Sequence, residues 1–207
     1  MNNEQINFIS TQFTKLENLE LTDKNLNSFL LNLENQILDI NTCIENEIQY
    51  WVNPIRLIIL SEAPLSFNKF FYNTQGNFLQ GLMNYYNSTV LNFKPVLREN
   101  GIFVLDVYRF PIKTGYYDNN VGNNILFETD YLNSRFEHLR NIGLINEHTR
   151  IVFRYKKLFR RNYILNNENV VNNYIKNINN EPISLYANGE YGVPIISQEV
   201  IDFLETN

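Results

Sequence analysis

Arg56-Leu57-Ile58-Ile59-Leu60-Ser61-Glu62-Ala63-Pro64 is a short apolar run that ends abruptly in a small residue, a carboxylate and a proline. Its length, its Ile and Leu content and its closing proline predict a strand buried on both faces of a parallel sheet. In open α/β sheets a ligand sits in the crevice outside the carboxyl ends of the strands. Glu62 therefore falls where chemistry is expected. The residues that follow, Phe67 to Asn73, include Phe70, Phe71 and Tyr72. Rings of that kind can stack on a flat ligand.

Downstream, Phe78, Leu79, Leu82, Met83 and Tyr86 recur at helical spacing. Pro95 to Arg98 make one more turn, stopped by Gly101 at the C′ position. A second apolar strand follows, Ile102 to Tyr108, and breaks at Arg109-Phe110-Pro111. The polar loop Lys113 to Asn124 has no periodicity, and loops of that length are usually functional or mobile. Tyr131, Leu132, Phe136 and Leu139 predict a helix ending before Gly143, and Arg150 to Tyr155 a third strand. Leu158 to Leu165, then Val170, Val171, Tyr174, Ile175 and Ile178, have helical spacing despite many Asn. Pro182 to Ala187 reads as a short fourth strand, followed by the turn-rich Asn188-Gly189-Glu190-Tyr191-Gly192. A last helix is predicted from Gln198 to Leu204.

Upstream, residues 10–50 read as helical. Thr14-Lys15-Leu16-Glu17 has the capping-box pattern. Leu26, Phe29, Leu30, Leu33, Ile37, Ile40, Ile44 and Ile48 form a long apolar stripe at spacings of three and four. Helices followed by repeated strand–helix units predict a three-layer α/β/α sandwich with a four-stranded, mostly parallel sheet and an N-terminal helical extension. The extension, residues 1–50, is expected to pack on an α/β domain of residues 51–207. A partner-binding or dimerisation helix is the other reading of that stripe.

The chain has 207 residues, enough for one full domain with a sizeable core. Its net charge of −5 is uneven: residues 1–50 hold eight acids and two bases, so the remainder nets +1. Within that remainder Arg154, Lys156, Lys157, Arg160 and Arg161 form a dense basic cluster, which suits nucleic acid despite the acidic total. One cysteine, Cys43, cannot build a disulfide framework, a zinc site or an iron–sulfur cluster alone. No signal peptide and no apolar run of spanning length is visible, so a cytoplasmic protein away from membranes is expected. There is no glycine-rich phosphate fingerprint and no Walker motif, which weighs against dinucleotide enzymes and NTPases.

A strand ending in Ser61-Glu62-Ala63-Pro64 resembles the first motif of the uracil-DNA glycosylase superfamily, closest to the Gly-Glu-Ala-Pro form of its iron–sulfur branch. Leu105-Asp106-Val107-Tyr108-Arg109-Phe110-Pro111 stands where that family carries a strand with a base-recognising Asn and a Pro-containing turn. Leu185 to Gly192 takes the place of the last motif, usually a His-Pro-Ser turn. The resemblance covers about residues 54–207. It implies a monofunctional DNA glycosylase that works as a monomer without metal or organic cofactor. The cluster cysteines are absent. No His falls in the last motif, since His138 and His148 lie elsewhere, so Asn188 and Tyr191 are the candidates for its role opposite the developing charge on the base.

Cleaving an N-glycosidic bond passes through an oxocarbenium-like sugar, which a carboxylate can stabilise while it orients a water. Glu62 is the candidate; helix capping or solvent exposure is its ordinary alternative. Asp106 replaces the family's Asn. An ionised Asp only accepts hydrogen bonds, so it repels O4 of uracil but accepts from the exocyclic amine of cytosine. The expected substrate is therefore a modified cytosine, as in bacteriophage DNA, rather than uracil. The competing reading pairs Asp106 with Arg109 or Arg154 as scaffold. Ala63, Pro64, Arg109 and either Phe71 or Tyr72 are expected around an extruded base, although core packing competes for both rings. Ser61, Lys113, Arg154, Lys156 and Arg160 are expected on the DNA backbone. Two other classes stay open: a catalytically silent nucleic-acid binder on the same fold, and a hydrolase of nucleosides or other small molecules.

Overall fold

The computed structural model describes residues 7, 23–61, 71–72, 79–108, 129–154, 176–179, 183–187 and 194–206. Its elements, in chain order, are α1 (Asp23–Ile48), β1 (Leu57–Ser61), α2 (Gln80–Tyr85), α3 (Phe93–Glu99), β2 (Ile102–Asp106), α4 (Thr129–Asn141), β3 (Arg150–Phe153), β4 (Lys176–Asn177) and α5 (Gln198–Thr206). The fold is mixed α/β on a parallel sheet. Three full strands run in the order β2-β1-β3, and the two-residue β4 pairs on the outer edge of β3.

All five residues of β1 are buried. So are Ile102–Leu105 of β2 and Ile151–Phe153 of β3. Continuous burial explains the continuous Ile, Leu and Val, since a strand covered on both faces has no polar side to present. The registers run Leu57 with Ile102 through Ser61 with Asp106, and Leu57 with Arg150 through Leu60 with Phe153. Gly101, at φ +67°, reverses the chain between α3 and β2. Its carbonyl accepts from the N–H groups of Arg56 (2.7 Å) and Leu57 (3.0 Å), which ties the two strand starts together. A Cβ there would also press on the Arg56 side chain at 2.9 Å.

α1 buries Leu33, Ile40, Ile44 and Ile48 in the same apolar cluster as the strands. Two of its acids meet bases of the α/β region, while Glu34 and Asp39 are exposed. Glu47, 4% exposed, receives Arg98 at 2.5 Å and Lys94 at 3.8 Å, both from α3. Glu45 receives Arg135 and, at 3.1 Å, His138 from α4. Part of the N-terminal acid excess is thus matched by bases of the α/β region rather than held for a foreign partner. The capping-box residues Thr14–Glu17 lie outside the described residues.

Two expectations on the outer edge of β3 need correction. The helical pattern carried through Ile178 gives way to β4 at Lys176–Asn177, where parallel pairing with Arg150 and Ile151 outweighs the weak helix propensity of an Asn-rich segment. The fourth strand expected at Pro182–Ala187 shrinks to single bridges: Ser184 pairs parallel with Phe153, and Tyr186 pairs antiparallel with Ile196. The Ser184 hydroxyl donates to the Tyr186 carbonyl at 3.1 Å, a local bond that bends the chain and competes with a regular ladder.

Candidate functional site at the carboxyl end of the sheet

β1 connects onward to β2 on one side, while β3 connects onward to β4 on the other. The boundary between β1 and β3 is therefore a topological switch point, the place where open α/β sheets form a crevice at their carboxyl ends. Ser61 closes β1 there, and Arg154 is the first residue after β3.

The end of the sheet is held firmly. The Val107 N–H donates to the Ser61 carbonyl at 3.0 Å, and the Arg154 N–H donates to the Leu60 carbonyl at 2.9 Å. Ser61 lies opposite Asp106, and the β1–β3 register extended by one residue sets Arg154 opposite Ser61. Paired residues of neighbouring strands project to the same face. Asp106, Ser61 and Arg154 thus form a row across three strands, with neighbours about 4.8 Å apart along it. Ser61 is 1% exposed. Asp106 and Arg154 are half-buried. Arg154 reaches across the switch point, where its Nη1 donates to Ser61 Oγ at 3.3 Å. A carboxylate on the β2 side and a cation on the β3 side therefore flank a buried hydroxyl.

The described candidates fall into two groups. Ser61, Asp106 and Arg154 come together at the sheet end. Phe71 and Tyr72 lie in the core, 8% and 4% exposed. Phe71 meets Tyr72 and Phe93 edge-on at 4.8 and 5.1 Å, and Tyr72 leans on Phe103 at 5.6 Å. The Tyr72 hydroxyl accepts the Val104 N–H at 3.0 Å. Among the described strands β2 lies at the edge of the sheet, and Val104 points this donor away from β1, so the phenol takes the place of a neighbouring strand. Burial pushes the Tyr72 phenol well above its ordinary range; the Val104 bond partly offsets this, and the Glu47 and Asp106 carboxylates add to it. Both rings are engaged in packing, the reading that competed with base stacking. Glu62, Ala63, Pro64, Arg109, Lys113, Lys156, Arg160, Asn188 and Tyr191 lie outside the described residues.

Two contacts escaped sequence reasoning. Ser61 and Arg154 are 93 positions apart, and Tyr72 and Val104 are 32 apart. One joins the ends of β1 and β3 and the other caps the outer edge of β2, with no local pattern to announce either. Among the described residues no group of three His, Cys, Asp or Glu side chains can hold a metal ion. None of their helices is long and apolar enough to cross a membrane. Set against known protein families, curated proteins and solved structures, the chain matches none of them.

Proposed function

We propose that this chain is a monofunctional DNA glycosylase on a uracil-DNA-glycosylase-like α/β/α fold, hydrolysing the bond between a modified cytosine and deoxyribose. One observation carries the reading. The strand that ends in the Ser-Glu-Ala-Pro motif stops at the switch point, in register with the strand that ends in Asp106. The motif is thus joined to the part of an α/β sheet where ligands bind. The fold alone hosts many activities, so the chemistry of the residues must supply the rest.

In this reading Glu62 orients the attacking water and stabilises the sugar cation. Asp106 accepts from the exocyclic amine of the base. The basic residues from Arg154 to Arg161 sit near the DNA, which makes binding fall with salt. Ser61 plays a different part from the backbone contact expected from sequence, because its hydroxyl is buried beside Arg154.

The test is base release. Full-length protein is incubated with DNA carrying uracil, hypoxanthine, 5-hydroxymethylcytosine or its glucosylated form, then treated with alkali to cut abasic sites. Release of cytosine-derived bases only, lost in Glu62→Gln, is the expected result. Release of uracil would keep the family and remove the argument from Asp106. DNA binding without release of any base would leave a silent binder in place of an enzyme.

A further inference from the structure

α1 has a second apolar seam on the side away from the core. Leu31 and Leu38 are 57% and 62% exposed. Each stands two residues before a core residue, Leu33 or Ile40, and two residues carry a helix through about 200°. The two leucines therefore point away from the core, about 10 Å apart along the helix axis. Asn35 and Thr42, both exposed, lie on the same side. Leu31, Asn35, Leu38 and Thr42 thus follow the alternating spacing of a coiled-coil seam, with Leu at its d positions and Asn35 at the a position between them. Glu34 and Asp39 are exposed on either side of the seam, at its g and e positions. The other flanking positions, 27, 32, 41 and 46, are all Asn.

We infer that this face of α1 docks an α-helix of another protein, one with apolar residues opposite Leu31 and Leu38 and with Lys or Arg opposite Glu34 and Asp39. Charge decides against a second copy of the chain. In a parallel pair of identical helices the g position of one meets the following e position of the other, so Glu34 would face Asp39 of the second copy. No base stands at any e or g position, so an antiparallel pair gains no ion pair either. Like charges across an interface suppress the wrong partner, and opposite charges select the right one. Glu45 and Glu47 already hold bases of α3 and α4, whereas Glu34 and Asp39 face outward.

Two leucines make a short contact, of the class found in weak, transient complexes. α1 is already folded against the core, so docking has to order the partner alone. Asn35 sets the register, because a buried Asn at an a position is satisfied only opposite another polar group. The seam shares no residue with the carboxyl end of the sheet, and the inference stands apart from the glycosylase reading.

The experiment titrates full-length protein into labelled helical peptides of about three heptads and follows fluorescence anisotropy. The first peptide carries Leu at d, Asn at the a position facing Asn35, and Lys at e and g. The second has Glu in place of each Lys. The third has the composition of the first in an order without the seam. The first is expected to bind, and the other two to bind at least about tenfold more weakly. Leu38→Ala should weaken the first complex by about tenfold while the urea midpoint stays at its wild-type value, because the side chain is exposed. Glu34→Lys with Asp39→Lys should turn the preference toward the second peptide. Absence of binding to the first peptide would overturn the inference. Equal binding of the first and third would reduce it to general attraction of charge and overturn it too. A dimer of the protein in sedimentation, lost in Leu38→Ala, would put a second copy on this face in place of the basic helix. A lowered urea midpoint in Leu38→Ala would show the seam packed within the chain and would equally refute docking.

Discussion

Tyr72→Phe removes one oxygen from the core and nothing else. The ring keeps its contacts with Phe71 at 4.8 Å and Phe103 at 5.6 Å. What goes is the acceptor for the Val104 N–H, a buried bond of 3.0 Å at the edge of β2. Among the described residues no strand lies on that side of β2 to replace it. Leaving a buried donor unsatisfied costs about 1–3 kcal/mol. For a chain of this length each kcal/mol lowers the melting temperature by about 2–4 °C. We expect a loss of about 2 kcal/mol in urea unfolding, an unchanged m-value, and faster hydrogen exchange at the Val104 amide. Base release should keep its wild-type rate, because the phenol serves the sheet edge. A stability change under about 0.5 kcal/mol, with Val104 still protected, would refute the hydrogen-bond argument, since such a bond should cost more than that to remove. Wild-type stability with a large loss of base release would assign the Tyr72 hydroxyl to the reaction instead of the sheet edge.

Glu47→Gln should destabilise the chain by about 2–3 kcal/mol in urea melts, because Arg98 and Lys94 lose a buried carboxylate while α1 stays in place. A neutral result would mean that apolar packing alone docks this helix. Asp106→Asn restores a group that both donates and accepts; release of cytosine-derived bases should fall by at least about tenfold and release of uracil should appear. Unchanged selectivity would assign Asp106 to scaffolding. Stability should also fall in alkali. Burial pushes the Tyr86 phenol from 10.0 up to about 12, with Tyr85 adding to the shift, and Tyr72 moves the same way. The folded chain keeps protons that the unfolded chain loses first, so ionisation favours unfolding. The contribution is fully present below the unfolded value of 10.0 and is lost as pH rises toward about 12. For Tyr86 it amounts to about 1–2 kcal/mol after allowance for the solvent-facing part of the ring. Urea midpoints at pH 8 and pH 11, read beside tyrosinate absorbance, check it; equal midpoints with every phenol already ionised would contradict it.

The apolar runs at 57–60, 102–105 and 151–153 were enough by themselves to place three buried strands, because only a strand covered on both faces tolerates so little polarity. Helix ends were equally legible. Gly101 and Gly143 sit at φ +67° and +78°, a conformation that side-chain-bearing residues rarely adopt. The stripe on α1 announced its inner face, and Leu33, Ile40, Ile44 and Ile48 are buried as that spacing requires. Tertiary structure decided what local patterns leave undetermined. Two short segments of similar polarity could line the outer edge of β3, and pairing energy, not propensity, gave Lys176–Asn177 the ladder and Ser184 a single bridge. An aromatic side chain looks the same in sequence whether it packs in a core or stacks on a ligand, and burial set Phe71 and Tyr72 in the core. Ser61 and Arg154 meet because β1 and β3 are neighbours in space although 93 positions separate them. Periodicity reports which face of an element is covered; it carries no information about which distant side chain completes a hydrogen bond, because that depends on strand order and register.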